Sequence, residues 1–196
     1  MDTPVGYEEN FIGPDESRLM FLRLWNTLAW EQRPTAPRRE YWHNTFDRPY
    51  TYGSGEGVRT YEPQPNHDDV EVVRQFLFDR TGVFYEGCFL NGYATGKDAL
   101  GWHQDDDPGI DHERPIAIVS LYEDGDGMFG TRAKGVAQPR EIYFREGREG
   151  LIEKLTLGQG SLAIMAPGMQ HTHFHKIPRA GATTCPRISL TFRGLK

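Results

Sequence analysis

The second part of the chain consists of short strand-like runs, and this feature limits the fold more than any other. After Gly82, runs rich in β-branched and aromatic residues alternate with turn residues. These runs are VFYEGCFLNGY, RPIAIVSLYE, GMFGTRA, REIYFRE, EKLTLGQGSLAIMA, HTHFHKI and RISLTFRG. Turns are predicted at Pro108-Gly109, Asp126-Gly127 and Gln159-Gly160. So many short strands predict a double-sheet barrel or jelly roll.

Two helices are predicted ahead of these strands. PDESRLMFLRLWNTLAWEQ, residues 14–32, has acidic residues at its start and apolar residues at helical spacing. NHDDVEVVRQFLFDRTG, residues 66–82, has Asn66 as a candidate N-cap and Gly82 as a stop signal. Residues 33–65 show no lasting period and predict a long, partly hairpin-like loop. The predicted fold is therefore α+β but mainly β, with the helices packed outside a jelly roll.

Length and composition predict a single soluble domain. A chain of 196 residues is long enough for one core, so we expect one domain over residues 1–196, with the helices in residues 1–82 and the strand core in residues 83–196. No apolar run approaches the roughly 20 residues that span a bilayer, and the N-terminus lacks the features of a secretory signal. Cys88 and Cys185 are far apart and fit reduced thiols. We expect a cytoplasmic monomer without a membrane partner.

The charge is distributed unevenly. The formal net charge is −6, yet residues 154–196 contain no Asp or Glu. The basic residues of that segment are Lys154, Lys176, Arg179, Arg187, Arg193 and Lys196. This asymmetry favours an anion-binding face. Pairing of these bases with acidic residues from the first part of the chain explains it equally well.

Histidines and aspartates in two segments form a candidate metal site. In WHQDDD, His103 and Asp105 are two apart, so on a strand they point to the same side. HTHFHKIP offers His171, His173 and His175 at the same period. Two histidines and one carboxylate leave open positions on Fe(II), the geometry of non-haem oxygenases. A structural or adventitious zinc site, or a surface-exposed strand face, would also explain the histidines.

Residues 187–193 alternate in polarity. One face carries the polar side chains Arg187, Ser189, Thr191 and Arg193, and the other face is apolar. Two arginines facing inward would be costly to bury unpaired, so they need anionic partners. A small dicarboxylate suits the guanidinium forks. Salt bridges to the aspartate run of WHQDDD are the alternative.

Three segments together resemble the AlkB family of Fe(II)- and 2-oxoglutarate-dependent dioxygenases. They are NGYATGKDALGWHQDDD, HTHFHKIP and RISLTFR. The family's pattern is N-x-Y, then G-x-H-x-D, a distant H, and R-x-N-x-T-x-R, and the match runs in order over residues 91–193. The resemblance implies a double-stranded β-helix with a nucleotide-recognition lid in the N-terminal region. It also implies Fe(II), 2-oxoglutarate and O2 as cofactors.

The resemblance gives each matching residue a role. The implied iron ligands are His103, Asp105 and His175. The implied 2-oxoglutarate residues are Asn91, Tyr93, Arg187, Ser189, Thr191 and Arg193. His175 is chosen among the three histidines because the family's distal histidine is soon followed by proline. Ser189 replaces the usual asparagine, so one hydrogen bond to the cosubstrate would be replaced or lost.

Nucleic-acid contacts are expected before the strand core and after the metal motif. APRREYWHN and RPYTYGSGEGVRTY loosely resemble the family's nucleotide-recognition region. The residues expected to contact phosphates are Arg38, Arg39, Arg48 and Arg59, and those expected to stack on a base are Tyr41, Trp42, Tyr50 and Tyr52. Packing onto the barrel is the alternative for each aromatic ring. Asp107 is expected to approach the exocyclic amine of the base, whereas Asp106 either holds an arginine or is solvated.

The activity implied by the resemblance is oxidative removal of N-alkyl groups from nucleobases in DNA or RNA, such as 1-methyladenine and 3-methylcytosine. 2-Oxoglutarate would be decarboxylated to succinate and CO2, and the hydroxylated methyl group would leave as formaldehyde. The base would have to be flipped out or presented on a single strand. Two alternatives stay open. One is the same iron chemistry on another base, a protein or a small molecule, and the other is a non-catalytic metal- or nucleic-acid-binding jelly roll.

Overall fold

A computed structural model describes residues 3–34, 36–52, 58–123, 138–181 and 184–196. The α-helices are α1 (Pro14–Thr27) and α2 (Asp68–Thr81). The strands are β1 (Val5–Glu8), β2 (Arg39–Asn44), β3 (Tyr50–Tyr52), β4 (Arg59–Tyr61), β5 (Gly87–Tyr93), β6 (Leu100–His103), β7 (Ile116–Tyr122), β8 (Arg140–Glu146), β9 (Glu153–Leu157), β10 (Ser161–Met165), β11 (His173–Ile177) and β12 (Arg187–Arg193). The predicted strand GMFGTRA and the predicted turn at Asp126-Gly127 lie outside the described residues.

Two antiparallel sheets form the core. One sheet has six strands in the order β1-β10-β7-β12-β5-β2, and the other has four in the order β6-β11-β8-β9. Side chains from both sheets, such as Ile118 of β7 and Phe144 of β8, belong to one buried apolar cluster, so the sheets pack face to face. The prediction of a mainly β jelly roll is confirmed.

The helices cover the other face of the six-stranded sheet. Phe21 and Leu24 of α1 and Val73 of α2 are fully buried in one cluster with Leu190 of β12. Burying a side chain of this size stabilises a fold by roughly 1.5–3 kcal/mol. This cluster therefore attaches the helices outside the jelly roll, as predicted. No helix in the part of the chain that is described is long and apolar enough to span a membrane.

The first helix is shorter than predicted. It ends at Thr27 instead of residue 32, because Leu28 has an extended conformation with φ −68° and ψ 140°. Glu31 then exchanges backbone hydrogen bonds of 2.8 and 2.9 Å with Glu40. The residues after Leu28 therefore pair with the start of β2, although the helical spacing of apolar residues continues in the sequence.

The cap of the second helix also differs from the prediction. His67, not Asn66, is the N-cap, and its Nδ1 accepts a hydrogen bond from the backbone N–H of Asp69 at 3.1 Å. The stop at Gly82 is confirmed, since this residue has φ 71° and closes the helix in the left-handed region.

The N-terminal part supplies strands as well as helices. β1 pairs with β10 and β2 pairs with β5, so they form the two edges of the six-stranded sheet. The division at residue 82 between helices and strand core is therefore not sharp. β3 and β4 form a separate hairpin, which accounts for the hairpin-like character of residues 33–65.

A bulge in β6 sets the direction of its side chains. His103 pairs with His175 and Leu100 pairs with Ile177, so β6 advances three residues while β11 advances two. Such a bulge re-aims side chains on the longer strand. Leu100 and His103 both line the space between the sheets, whereas the intervening Trp102 contacts side chains on the outer face.

Candidate metal and cosubstrate site

The structure brings together the three implied metal ligands. His103 ends β6, Asp105 follows two residues later, and His175 lies on the adjacent strand β11. One ligand atom from each residue lies within 4.8 Å of the others. The other two histidines of HTHFHKIP are not part of this cluster. The His171 ring packs against His112 instead, and His173 contacts Thr172.

Asp105 is held by two partners. Its Oδ2 accepts a hydrogen bond from Nη2 of Arg193 at 2.8 Å, and its backbone N–H donates to Oε1 of Gln170 at 2.9 Å. Its Oδ1 lies 3.8 Å from Nε2 of His103. Burial alone would raise the pKa of Asp105, but the positive charge of Arg193, with smaller contributions from the two histidines, lowers it well below its usual range. The carboxylate is therefore ionised and has one oxygen directed to the histidines.

The two histidines are suited to bind a cation. His103 Nδ1 lies 2.8 Å from the carbonyl oxygen of Gly101, which can only accept, so Nδ1 carries the proton and Nε2 has its lone pair available. Burial lowers the pKa of His103, and burial together with His103 lowers that of His175 to about 3. Both rings are neutral near pH 7, as metal coordination requires. Two imidazoles and one carboxylate fit Fe(II).

A narrow cavity lies beside these ligands. The lining residues outside the metal ligands are Asn91, Tyr93, Leu100, Ile118, Ile142, Ile177, Ser189, Thr191 and Arg193. Five of the six residues that the resemblance assigns to 2-oxoglutarate are thus in the lining. The polar residues come from β5 and β12, which pair along their whole length. The cavity has one polar and one apolar wall, which suits a small acid that has to be shielded from water.

Arg187 is the sixth of these residues. It is fully buried, and its Nε donates to Oγ of Ser120 at 2.7 Å. Its Nη1 and Nη2 have no hydrogen-bond partner among the described residues. Burial lowers the pKa of Arg187 to about 10. A buried guanidinium with two unpartnered nitrogens is costly and matches a carboxylate, so the residues present fit a dicarboxylate cosubstrate.

The two arginines of β12 thus differ in their partners. Arg193 forms the predicted salt bridge to the aspartate run, through Asp105. Arg187 has no carboxylate within ion-pair distance in the described part of the chain. The dicarboxylate interpretation therefore depends on Arg187.

Sequence reasoning missed three supporting residues. Gln170 and Ser120 position Asp105 and Arg187, as described above. Arg140 is buried, donates to three backbone carbonyls, and its Cζ lies 5.2 Å from the ring centroid of Tyr93. A single serine in the apolar strand IAIVSLY is a signal for Ser120. The sequence contains no comparable signal for the other two.

A second cavity shares His103 and Asp105 with the first. Its lining includes Tyr50 and Tyr52 of β3, together with Arg38, Asn91 and His103. The half-buried ring of Tyr52 meets the His103 ring edge-on at 6.1 Å and 85°. Burial raises the pKa of Tyr52 to about 12, so its hydroxyl keeps its proton. Tyr52 therefore lies where the sequence predicts a substrate base. Tyr50 differs from the prediction, because it is only 6% exposed and its ring packs against Trp42 and Phe89.

Tyr41 and Trp42 differ from the prediction. They are 4% and 2% exposed, so neither presents a ring face to a base. The Tyr41 hydroxyl donates to the carbonyl of Pro65 at 2.6 Å, and Trp42 Nε1 donates to the carbonyl of Arg48 at 2.8 Å. The Trp42 ring packs 5.0 Å from that of Tyr50. Packing onto the barrel, the alternative interpretation, describes both residues.

Arg38 is also buried, at 7% exposure, which rules out the predicted phosphate contact in this conformation. Its Nε donates to Oδ1 of Asn91 at 2.7 Å, and its Nη2 lies 2.7 Å from a carboxylate oxygen of Glu40. Nη1 of Arg59 lies 3.7 Å from the same carboxylate. Arg38 therefore positions Asn91, and a buried ion pair explains why the sequence places an arginine there.

The remaining predicted phosphate contacts are nearer the surface. The guanidinium of Arg39 lies 4.7 Å from the ring of Trp25, which holds it against the fold. Arg48 is exposed and donates to the carbonyl of Lys196 at 2.8 Å. Arg48 and the partly exposed Arg59 thus remain the accessible arginines of this predicted set.

Asp107 closes the predicted turn. Its Oδ1 accepts a hydrogen bond from the backbone N–H of Gly109 at 2.7 Å. Its backbone carbonyl accepts a hydrogen bond from the N–H of Ile110 at 3.0 Å, and Ile110 packs in one buried cluster with Tyr50, so Asp107 lies near the tyrosine-lined cavity. The contact between Asp107 and a base stays a prediction. Asp106 is exposed, as expected for a solvated carboxylate.

A family model described as the 2OG-Fe(II) oxygenase superfamily matches residues 7–193. The chain belongs to this superfamily. Two similar curated relatives have AlkB names. Alpha-ketoglutarate-dependent dioxygenase alkB homolog 3 of Bos taurus is 29% identical over 192 residues, covering 93% of this chain and 63% of the relative. DNA oxidative demethylase ALKBH2 of Mus musculus is 29% identical over 157 residues, covering 78% of this chain and 63% of the relative.

The chain thus spans 63% of the length of these relatives. Among solved structures, OsALKBH1 superposes with a TM-score of 0.63 and 15% identity, covering 98% of this chain and 99% of that chain. This likeness shows a shared fold, in agreement with the two sheets described above.

Proposed function

We propose that this protein is an Fe(II)- and 2-oxoglutarate-dependent dioxygenase that removes N-alkyl groups from nucleobases. One observation carries the proposal. The buried cluster of His103, Asp105 and His175 shares a cavity with Tyr93, and the guanidinium of Arg187 lies 5.5 Å from the Tyr93 ring with two nitrogens that have no partner among the described residues. The metal cluster alone would fit a structural site. An anion-binding arginine close to it favours a cosubstrate acid.

Bound Fe(II), 2-oxoglutarate and O2 would supply the oxidation of an N-alkyl carbon, coupled to decarboxylation of 2-oxoglutarate to succinate and CO2, with formaldehyde as the second product. The chain's own residues bind, orient and shield. Arg187 would bind a carboxylate of the cosubstrate, and Arg193 keeps Asp105 ionised and in place. Ile118, Ile142 and the other apolar side chains of the cavity would exclude water.

Three observations support a nucleobase as substrate. Tyr52 lines the second cavity beside His103, and its half-buried ring can stack on a flat base. Asp107 lies near that cavity, and a carboxylate favours cationic lesions such as 1-methyladenine and 3-methylcytosine. A curated relative is named a DNA oxidative demethylase. Action as a cytoplasmic monomer stays a prediction.

A reaction with a mixed pool of methylated oligonucleotides tests the proposal. Wild-type protein is loaded with Fe(II) and 2-oxoglutarate without oxygen and then exposed to air, and mass spectrometry follows the loss of methyl groups. We expect methyl loss from cationic lesions that disappears in His103→Ala and persists in the neighbouring control Gln104→Ala. If folded, iron-loaded wild-type protein leaves every methyl group in place, the proposal is wrong.

A further inference from the structure

The four-stranded sheet has an outer face that points away from the metal ligands. Because side chains alternate along a strand, the neighbours of His103 and His175 lie on this outer face. Three aromatic and three cationic side chains contact one another there. They are Trp102 of β6, Phe174 and Lys176 of β11, Tyr143 and Arg145 of β8, and Lys154 of β9. We call these six residues the basic aromatic face.

Aromatic and cationic side chains alternate across the strands. Lys176 Nζ lies 4.6 Å from the ring centroid of Trp102 on one side and 5.3 Å from that of Tyr143 on the other. Lys154 Nζ lies 4.8 Å beyond the same Tyr143 ring. Since strands are about 4.8 Å apart, this row over four strands is about 14 Å long. A row of this kind presents half-buried aromatic rings and positive charges at regular intervals.

A second contact extends the row along the strands. Arg145 Cζ lies 4.2 Å from the ring centroid of Trp102 and 5.8 Å from that of Phe174. Its Nε is buried and has no hydrogen-bond partner among the described residues. Cation–π contacts hold the guanidinium in place without neutralising its charge.

The face is positively charged although the chain as a whole is acidic. The net charge of the chain is −6, whereas this face has three cations. On β8, Glu141 lies on the same face as Tyr143 and Arg145. One of its carboxylate oxygens already accepts a hydrogen bond from the Tyr143 hydroxyl at 3.1 Å. Glu146 has the same parity as the inward-facing Ile142 and Phe144, and Glu153 the same parity as Leu155 and Leu157, so the alternation places neither glutamate on this face. Charge complementarity therefore favours an anionic partner.

We propose that the basic aromatic face binds single-stranded nucleic acid outside the catalytic cavity. The inference deepens the proposed function, because it rests on a nucleic-acid substrate for the same enzyme. Lysine and arginine neutralise phosphates, and aromatic rings on a four-stranded sheet stack on successive bases. Trp102 and Lys176 are the direct neighbours of His103 and His175, so a strand held here lies one sheet thickness from the metal site. The half-buried rings between cations suit a polyanion with bases better than a lipid surface.

Binding to an unmodified strand, measured with metal-free protein, tests this face separately from catalysis. The probe is a fluorescently labelled single-stranded DNA of about 20 nucleotides, long enough for a site of this kind. The face variant is Lys154→Ala/Lys176→Ala. The matched control is Arg80→Ala/Lys97→Ala, which removes two exposed cations from α2 and from the loop before β6. Thermal unfolding of both variants checks that the fold is kept.

We expect the face variant to weaken binding at least tenfold and the control to change it less than twofold. The slope of log affinity against log salt should become shallower by about 1.4, or about 0.7 for each lost phosphate contact. Tryptophan emission should be quenched on binding, and Trp102→Phe should remove most of that quenching. Equal affinities for the two double variants would overturn the proposal. Binding to anionic phospholipid vesicles in place of the oligonucleotide would also overturn it.

The two proposals fail in different ways. Wild-type protein that demethylates a short methylated oligonucleotide but does not bind the unmodified strand would overturn the basic aromatic face and leave the proposed function standing. Strand binding that depends on Lys154 and Lys176 without any methyl loss would support the face and contradict the proposed function.

Discussion

Arg193 holds the candidate metal ligand Asp105 through two nitrogens of one guanidinium. Nη2 and Nε donate to the same carboxylate oxygen at 2.8 and 3.2 Å, while the second oxygen lies on the side of His103. The arginine comes from β12 and the aspartate from the segment after β6, so the contact also joins the two sheets at the site. The orientation of the metal ligand therefore depends on a residue that also lines the cosubstrate cavity.

Replacing the Arg193 guanidinium by a single ammonium group tests whether Arg193 orients Asp105. Arg193→Lys keeps the charge but cannot make both contacts, so Asp105 should be less well oriented. We expect metal affinity to fall 10- to 100-fold, the usual effect of losing a partner of a metal ligand. Calorimetric titration with Co(II) measures it, with Arg48→Lys as the control at the surface. Unchanged affinity in Arg193→Lys would show that the pair does not orient the ligand.

Arg187 should contribute to cosubstrate binding and not to the stability of the unliganded protein. Arg187→Met removes a buried charge that has no carboxylate partner among the described residues, so without 2-oxoglutarate we expect an unfolding temperature equal to or above that of wild type. The affinity for 2-oxoglutarate should fall by about 2–5 kcal/mol, as for a truncated buried charge pair. Thermal unfolding with and without 2-oxoglutarate measures both effects. A cosubstrate-induced rise in unfolding temperature that is the same in variant and wild type would contradict this role.

The alternation of residues along β12 made much of the site predictable. Its apolar side chains pack under the helices and its polar side chains face the site, as the pattern RISLTFR predicts. The spacing in WHQDDD and HTHFHKIP likewise identified residues that the fold brings together. These features are local, since a strand has a period of two and each motif lies within a few residues.

Features that depend on distant pairing could not be predicted. Arg38 resembles a surface arginine in the sequence, but it is buried because its partner Asn91 lies 53 residues further along the chain. The six residues of β2 contain Glu, His and Asn and lack the apolar alternation of a strand, although five of the six are buried at the sheet edge. Gln170 holds Asp105 from 65 residues away. Contacts of this kind follow from the assembled sheets.

Asp107 provides a test of substrate selection. Asp107→Ala would also remove the acceptor that closes the turn at Gly109, whereas Asp107→Asn keeps an oxygen at that position and removes the charge. We expect Asp107→Asn to lower turnover of cationic 1-methyladenine about tenfold or more and to leave 2-oxoglutarate consumption without substrate nearly unchanged. Parallel assays of formaldehyde and of uncoupled succinate separate the two effects. Equal losses in both assays would contradict a role for the charge in recognition.

Glu86, a carboxylate away from the site, should make the free energy of unfolding depend on pH. Burial would raise the pKa of Glu86, but hydrogen bonds from Arg114 and from the N–H of Leu195 lower it below its ordinary value. A lowered pKa means that the ionised group stabilises the fold above its unfolded pKa of about 4.3, and that this contribution is lost as the pH falls through the folded pKa. Glu86→Gln should therefore cost roughly 1 kcal/mol of unfolding free energy at pH 7 and less near pH 3.

Urea unfolding of wild type and Glu86→Gln at several pH values checks this. The exposed Glu149→Gln is the control and should not change the pH profile. If the difference in unfolding free energy between wild type and Glu86→Gln stays constant from pH 7 to pH 3, the charge of Glu86 does not stabilise the fold.

The most direct test of the proposed activity is the ratio of formaldehyde to succinate formed on a single-stranded oligonucleotide with one 1-methyladenine or 3-methylcytosine. Coupled N-demethylation predicts that the amount of formaldehyde equals the succinate formed above the level without oligonucleotide, with neither product formed by His103→Ala. Succinate that forms in the wild type without formaldehyde or methyl loss, on either lesion, would contradict nucleobase demethylation.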